Sequence, residues 1–138
     1  MAALTEARQT KSRSLGKRVS YLMKASTTIY AGGFVMIDSN GLATPATAEA
    51  SNQGCVGVAA ETVTSTASGG ERIAVQEGIF LIGGASLAQS DVGSKAYASD
   101  DQTCSTTQGT NEPACGVVVE FVDASNGWVE VSLTGSKL

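Results

Sequence analysis

The sequence predicts an all-β fold, a small compact β-barrel carrying an extended N-terminal arm, and three observations predict it. Gly, Ala, Ser, Thr and Val dominate the chain, with two prolines and only 16% charged residues, a composition that suits short strands and many turns rather than long helices. Short apolar runs alternate with polar positions at the period of two that a half-buried strand requires. Asn-Gly and Gly-Gly pairs separate these runs at hairpin spacing. At 138 residues the chain is long enough for one core, so residues 1–17 are expected to form the arm and 18–138 a single barrel domain.

Residues 2–16 hold scattered polar and charged side chains without a sustained apolar period, the pattern of an arm that needs a partner to become ordered. The body begins near Arg18, where Val19, Tyr21 and Met23 alternate with Arg18, Ser20, Leu22 and Lys24. Phe34-Val-Met-Ile37 and Leu42-Ala-Thr44 flank Asp38-Ser-Asn-Gly41, and the Asn-Gly pair supplies the positive φ angles of a tight hairpin turn. Arg72 to Ile82 reads as one long β-branched strand, bracketed by turns at Gly69-Gly70 and Gly83-Gly84. Gly78 within it implies a bulge or bend that lets the strand serve two sides of a small barrel. Ser86 to Ser90 is long enough for a single helical turn. The chain closes on a second hairpin, in which Phe121-Val122 and Trp128 to Leu133 flank Asp123-Ala-Ser-Asn-Gly127.

Two stretches repeat. Gly57-Val-Ala-Ala-Glu61 matches Gly116-Val-Val-Val-Glu120, each behind a cysteine and a polar loop, and Gly33–Gly41 matches Gly93–Asp101 at a similar offset of about sixty residues. Two related β-halves closing one barrel would account for this. Chance recurrence of glycine-valine strings in so simple a sequence is the competing explanation.

The formal charge of −4 is unevenly spread. Up to Lys24 the chain carries Arg8, Lys11, Arg13, Lys17, Arg18 and Lys24 against Glu6 alone, and the remainder is acidic. A basic arm on an acidic body raises nucleic-acid binding as a possibility, but aromatic interleaving beyond Tyr21 and a dense Lys/Arg run are both missing, and the body repels DNA. No direct nucleic-acid partner is expected. No run approaches the roughly 18 apolar residues of a membrane span, and no apolar core follows the N-terminal charges, so the expectation is a soluble protein made in a cytoplasm, without a membrane partner.

Catalysis finds no foothold. The chain has no histidine to serve as the base of a nucleophilic triad, and Asp38, Asp100 and Asp101 fall in turns, where an aspartate binds its own backbone. The pairs Gly32-Gly33, Gly69-Gly70 and Gly83-Gly84 lack the flanking residues of a phosphate loop. Cys55, Cys104 and Cys115 have neither C-x-x-C spacing nor histidine partners. Cys55 and Cys115 read as small buried strand residues, while Cys104 and Cys115 could approach across a hairpin base but are expected as free thiols. Catalytic, metal and cofactor sites are therefore all expected to be absent. Tyr30, Phe34, Phe80, Phe121 and Trp128 are assigned to the core, and Trp128, following a turn glycine, is the candidate for a subunit interface.

Taken in order, the pieces resemble the head decoration, or capsid cement, proteins of tailed bacteriophages. They are Ala3-Leu-Thr-Glu-Ala-Arg-Gln-Thr10, Ala25-Ser-Thr-Thr-Ile-Tyr-Ala-Gly-Gly-Phe-Val35, Asn40-Gly41, Val56-Gly-Val-Ala59, Arg72-Ile-Ala-Val-Gln-Glu-Gly-Ile-Phe80, Val92-Gly-Ser-Lys-Ala-Tyr-Ala-Ser-Asp-Asp-Gln-Thr103, Cys115-Gly-Val-Val-Val119 and Trp128-Val-Glu-Val131. The resemblance spans nearly the whole chain. It implies a β-barrel or β-tulip-like body that binds the outer surface of the capsid, cements neighbouring major capsid protein subunits against internal DNA pressure, and catalyses nothing. The implied partners are the major capsid protein and further copies of the chain, a trimer before a dimer, and the implied location is the virion. Arg8, Lys11, Arg13, Lys17 and Arg18 are the expected capsid-binding arm. The alternative is a surface-displayed carbohydrate-binding or adhesive β-module, which calls for an aromatic-lined concavity.

Overall fold

A computed structural model describes residues 18–84 and 86–137 of the chain. The arm predicted for residues 1–17, with Arg8, Lys11, Arg13 and Lys17, lies outside the described residues. Within them the protein is almost entirely β, as the sequence predicts.

The first half holds β1 (Arg18–Leu22), β2 (Thr28–Ile29), β3 (Phe34–Ile37), β4 (Ala43–Pro45), β5 (Cys55–Ala59), β6 (Val63–Thr64) and β7 (Arg72–Gln76). Five of these form a sheet in the order β1-β7-β5-β3-β4, and β2 pairs with β6 beside it. A parallel bridge from Met23 to Ala43 brings the two outer strands together, so the sheet curls until its edges touch. The second half holds β8 (Gly78–Gly84), a 3-10 turn (Gln89–Asp91), β9 (Lys95–Ala98), β10 (Thr103–Ser105), β11 (Ala114–Asp123), β12 (Asn126–Val131) and a terminal helix α1 (Leu133–Lys137). Its five strands close into a barrel in the order β9-β10-β8-β12-β11.

The two halves have the same topology, strand for strand. β1, β3, β4, β5 and β7 correspond to β8, β9, β10, β11 and β12. The parallel bridge Met23–Ala43 recurs as Gly84–Cys104, and the register shift at Val35/Met36 recurs at Ala96/Tyr97. Even turn hydrogen bonds repeat: Gly32 N donates to Ala59 O at 2.9 Å and Gly93 N to Val118 O at 2.7 Å. The repeat read from the sequence is therefore structural, with one correction. Each half winds round its own interior instead of both closing a single barrel, because five short strands suffice to bring each sheet's edges together. Arg72–Ile82 is correspondingly two strands, parted at Glu77: β7 completes the first half and β8 opens the second.

The repeated glycines have a common cause. At Gly57 a Cβ would stand 2.6 Å from Val75 Cγ1 and 2.7 Å from the Gln76 carbonyl oxygen, and at Gly116 it would overlap the Glu130 carbonyl. In both places β5 or β11 crosses so close to its neighbour that only a residue without a side chain fits.

Side chains alternate across β3 and β5 into two cores. Phe34, Met36, Cys55 and Val58 join Phe80, Ile82, Val118, Val129 and Val131 in a cluster shared by both halves. Val35, Val56 and Ala59 face the other way, with Met23, Ile29, Ile73 and Val75. The first half thus has a core of its own and lends one sheet face to the second.

The predicted hairpins stand at β3–β4 and β11–β12, the second with a tighter turn than expected: Asp123 pairs with Asn126, so Ala124-Ser125 make the turn and Asn126-Gly127 open β12. Asp38 shapes the first turn, its Oδ1 accepting from Asn40 N at 2.8 Å and Leu42 N at 3.0 Å. Three local expectations are corrected. Gly83-Gly84 lies inside β8 rather than in a turn, where the absence of a Cβ at Gly84 makes room for Leu87. Leu133 opens α1 instead of extending the last strand, because the Ser132 hydroxyl accepts from Gly135 N at 2.9 Å and caps the helix. Tyr30 is 61% exposed, since Ile29 takes the inward position and alternation turns Tyr30 out.

Candidate docking surface

Phe80 and Ile82 of β8 point into the shared core, and their alternates Ile79 and Leu81 point outward, 42% and 51% exposed. Leu81 lies cross-strand from Trp128, and Trp128 from Glu120, so one row runs over β8, β12 and β11. A second row pairs Ile79 with Glu130. β11 slips register at Val118/Glu120 and again at Phe121/Asp123, leaving the extra residues Val119 and Val122 exposed beside the row. Trp128 itself is half-buried. The result is an outward sheet face of apolar side chains flanked by the exposed carboxylates Glu120 and Glu130.

The first half supplies an internal control. At the positions corresponding to Leu81 and Trp128 it has Ser20 and Ala74, which also pair across β1 and β7. Arg72 donates from Nε to Ser20 Oγ at 2.7 Å and from Nη2 to Ser20 O at 2.9 Å. Glu61, the counterpart of Glu120, accepts from Ala74 N at 3.1 Å. At this row the topology accommodates internally hydrogen-bonded residues, although Val19 and Leu22 of the same strand are 38% and 39% exposed, and the contiguous apolar row of the second half is a property of its residues rather than of the fold. Soluble surfaces scatter single apolar residues freely, whereas contiguous ones mark contact sites.

Of the sequence-predicted site residues, Arg18 is exposed at the start of β1, opposite Gln76, and Trp128 lies in the apolar face. Ile79, Leu81, Val119 and Val122 were missed as surface residues. Their signal was legible: Gly78–Gly84 is apolar at both parities, which a strand with one solvated face does not need.

Elsewhere, a polar groove of about 540 Å³ lies between the β4–β5 and β10–β11 loops and α1, lined by residues such as Asn52, Gln108, Asn111, Glu112 and Lys137, with no aromatic side chain in its walls. Much of its polarity is already engaged. Asn52 Nδ2 donates to Glu49 O at 2.7 Å and Asn111 O at 3.2 Å, Gln108 Nε2 to Glu112 O at 3.1 Å, and Glu112 Oε1 accepts from Gly109 N at 2.8 Å.

Cys55, Cys104 and Cys115 are free and buried. Burial pushes the Cys104 thiol up to about 11; it raises Cys55 and Cys115 further, Cys115 also through its neighbours Cys55 and Cys104. Among the described residues no His/Cys/Asp/Glu group is arranged to hold a metal ion. No helix among them is long and apolar enough to cross a membrane. Comparison with family models, with curated proteins and with solved structures returned no match to this chain.

Proposed function

We propose that this chain is a structural virion protein, a cement protein that sits on the outer surface of a tailed-phage capsid and holds neighbouring capsid subunits together. The observation that carries the reading is the apolar outward face at Ile79, Leu81 and Trp128, set against the hydrogen-bonded Ser20 and Ala74 that stand at the corresponding positions of the first half. A protein whose working part is an apolar sheet face with an acidic border does its work by being covered by another protein surface. The ordered sequence resemblance to decoration proteins supplies the identity of that surface.

Cementing follows from linkage. Packaged DNA pushes capsid subunits apart, and a protein bound across their boundary adds its own contacts to those that must break. Each contact can be modest, because a second contact made by an already bound molecule benefits from a high effective concentration. The basic residues Arg8, Lys11, Arg13, Lys17 and Arg18 provide such a second contact on an acidic neighbour, and further copies on a symmetric lattice, a trimer before a dimer, multiply it.

The test is sedimentation of purified protein with mature shells stripped of accessory proteins, followed by heat or osmotic challenge. Saturable binding that raises the rupture threshold is the expected result. A protein that stays in the supernatant with every shell overturns the proposal.

A further inference from the structure

The apolar face of the second half has charges of its own, and they select what can cover it. Glu120 lies directly across from Trp128, and Glu130 follows Trp128 by two positions along β12, on the same side of the sheet. Cross-strand neighbours hold their Cβ atoms about 5 Å apart, so two exposed carboxylates flank the half-buried indole.

Both carboxylates are uncommitted. Asp38, Glu61, Asp91, Asp100, Glu112 and Asp123 each accept from a nearby backbone N–H, whereas no group among the described residues donates to the side chain of Glu120 or Glu130. Glu61 is the counterpart of Glu120, so the first half turns this acid onto its own β7 and the second half leaves it free. The cation in the cross-strand row of Glu130 is Lys95, beyond Val117, and its Nζ lies over the Tyr97 ring, 6.0 Å from the ring centre. Residues 18–138 carry five Lys/Arg and twelve Asp/Glu, a field that draws basic surfaces in and turns acidic ones away. Two copies meeting through this same face would crowd like charges.

We infer that the partner of this face is a protein surface whose apolar centre is bordered by arginine, with a guanidinium seated between the Trp128 indole and the carboxylates of Glu120 and Glu130. Arginine suits the place better than lysine, because one planar guanidinium stacks on an indole and forks onto a carboxylate together. The inference rests on the reading of this face as a docking surface and adds the chemistry of what docks there.

Trp128 is the chain's single tryptophan, so its emission reports on this face alone. The probe is a helical peptide with a leucine stripe bordered by arginines, beside the same peptide with citrulline in place of arginine. The arginine peptide should shift the emission saturably and the citrulline peptide about tenfold more weakly, as for loss of charge-assisted contacts at an interface. Glu120→Gln/Glu130→Gln should weaken the arginine peptide by a similar factor. Glu49→Gln/Asp101→Asn removes the same charge elsewhere and should leave its binding unchanged. An arginine peptide that fails to move the emission, or binds both double variants alike, would overturn the inference. So would Trp128 emission that shifts with protein concentration alone, which would assign the face to a second copy. Stripped shells separate the two claims: shell binding undiminished by Glu120→Gln/Glu130→Gln would overturn the inference and leave the cement reading standing, whereas peptide discrimination without any shell binding would support the inference and sink the cement reading.

Discussion

The two halves of this protein share strand order, pairing and register, down to the bridges Met23–Ala43 and Gly84–Cys104, and differ in what they turn to the outside. Ser20, Arg72 and Ala74 give the first half an outward row engaged in its own hydrogen bonds, beside the part-exposed Val19 and Leu22. Leu81, Trp128 and Ile79 give the second an apolar one. With topology held constant, the difference isolates side-chain choice: the fold needs the inward residues and the close-approach glycines, and it leaves the outward rows free to acquire a contact. β11, which runs to Asp123 where β5 stops at Ala59, enlarges the second face with Val119 and Val122.

The sharpest way to break the comparison is at the repeated glycines. Gly116→Ala forces a Cβ into the Glu130 carbonyl, which belongs to the backbone and cannot rotate away; a loss of about 3 kcal/mol or more is expected in denaturant unfolding. Gly57→Ala should cost less, since one of its two close neighbours is a Val75 methyl that can shift. Equal costs would show that the two crossings are under the same constraint after all.

Next in size is the shared core. Phe34 belongs to the first half yet packs with Phe80 and Val129 of the second, so Phe34→Ala should destabilise by about 3–5 kcal/mol and lower both halves in one transition. Two separate transitions would show that the halves fold independently.

A smaller effect concerns pH. Cys104 titrates near 11 when folded against an ordinary 9.0, and Cys55 and Cys115 are raised as well. Between those values the native state keeps protons that the unfolded chain has lost, so the stability gained from holding the thiols neutral is complete below about pH 9 and declines as pH rises towards 11. Urea midpoints from pH 8 to 11 should fall, and replacing the three cysteines by alanine should flatten that slope.

Smallest in stability is Leu81→Ser with Trp128→Ala, which gives the second half the residues that the first half already carries at those positions. A loss of about 1–2 kcal/mol is expected, since Trp128 is half-buried and Leu81 51% exposed.

Much of this was legible in the sequence. The first hairpin announced itself through Asn40-Gly41, and the repeat through Gly57 and Gly116, because a turn or a close crossing restricts the residue locally; the second hairpin was placed correctly but turns at Ala124-Ser125, with Asn126-Gly127 already in β12. Closure was not legible: whether β8 pairs with β10 or with the far edge of the first half is a long-range choice that no local pattern encodes. Tyr30 was misplaced because aromatic size suggests burial, whereas its parity beside Ile29 decides the matter. The docking face was half legible. Trp128 stood out as an aromatic after a glycine, but Ile79 and Leu81 blended into a strand whose inner residues are equally apolar.

The most direct test of the central claim compares shell binding by the unsubstituted protein and by the Leu81→Ser/Trp128→Ala variant, with unfolding midpoints measured on both. The account predicts that the variant loses capsid binding by an order of magnitude or more while it stays folded, with only a modest fall in its midpoint. Binding that survives the substitutions undiminished would contradict it and remove the second half's outward face from the function.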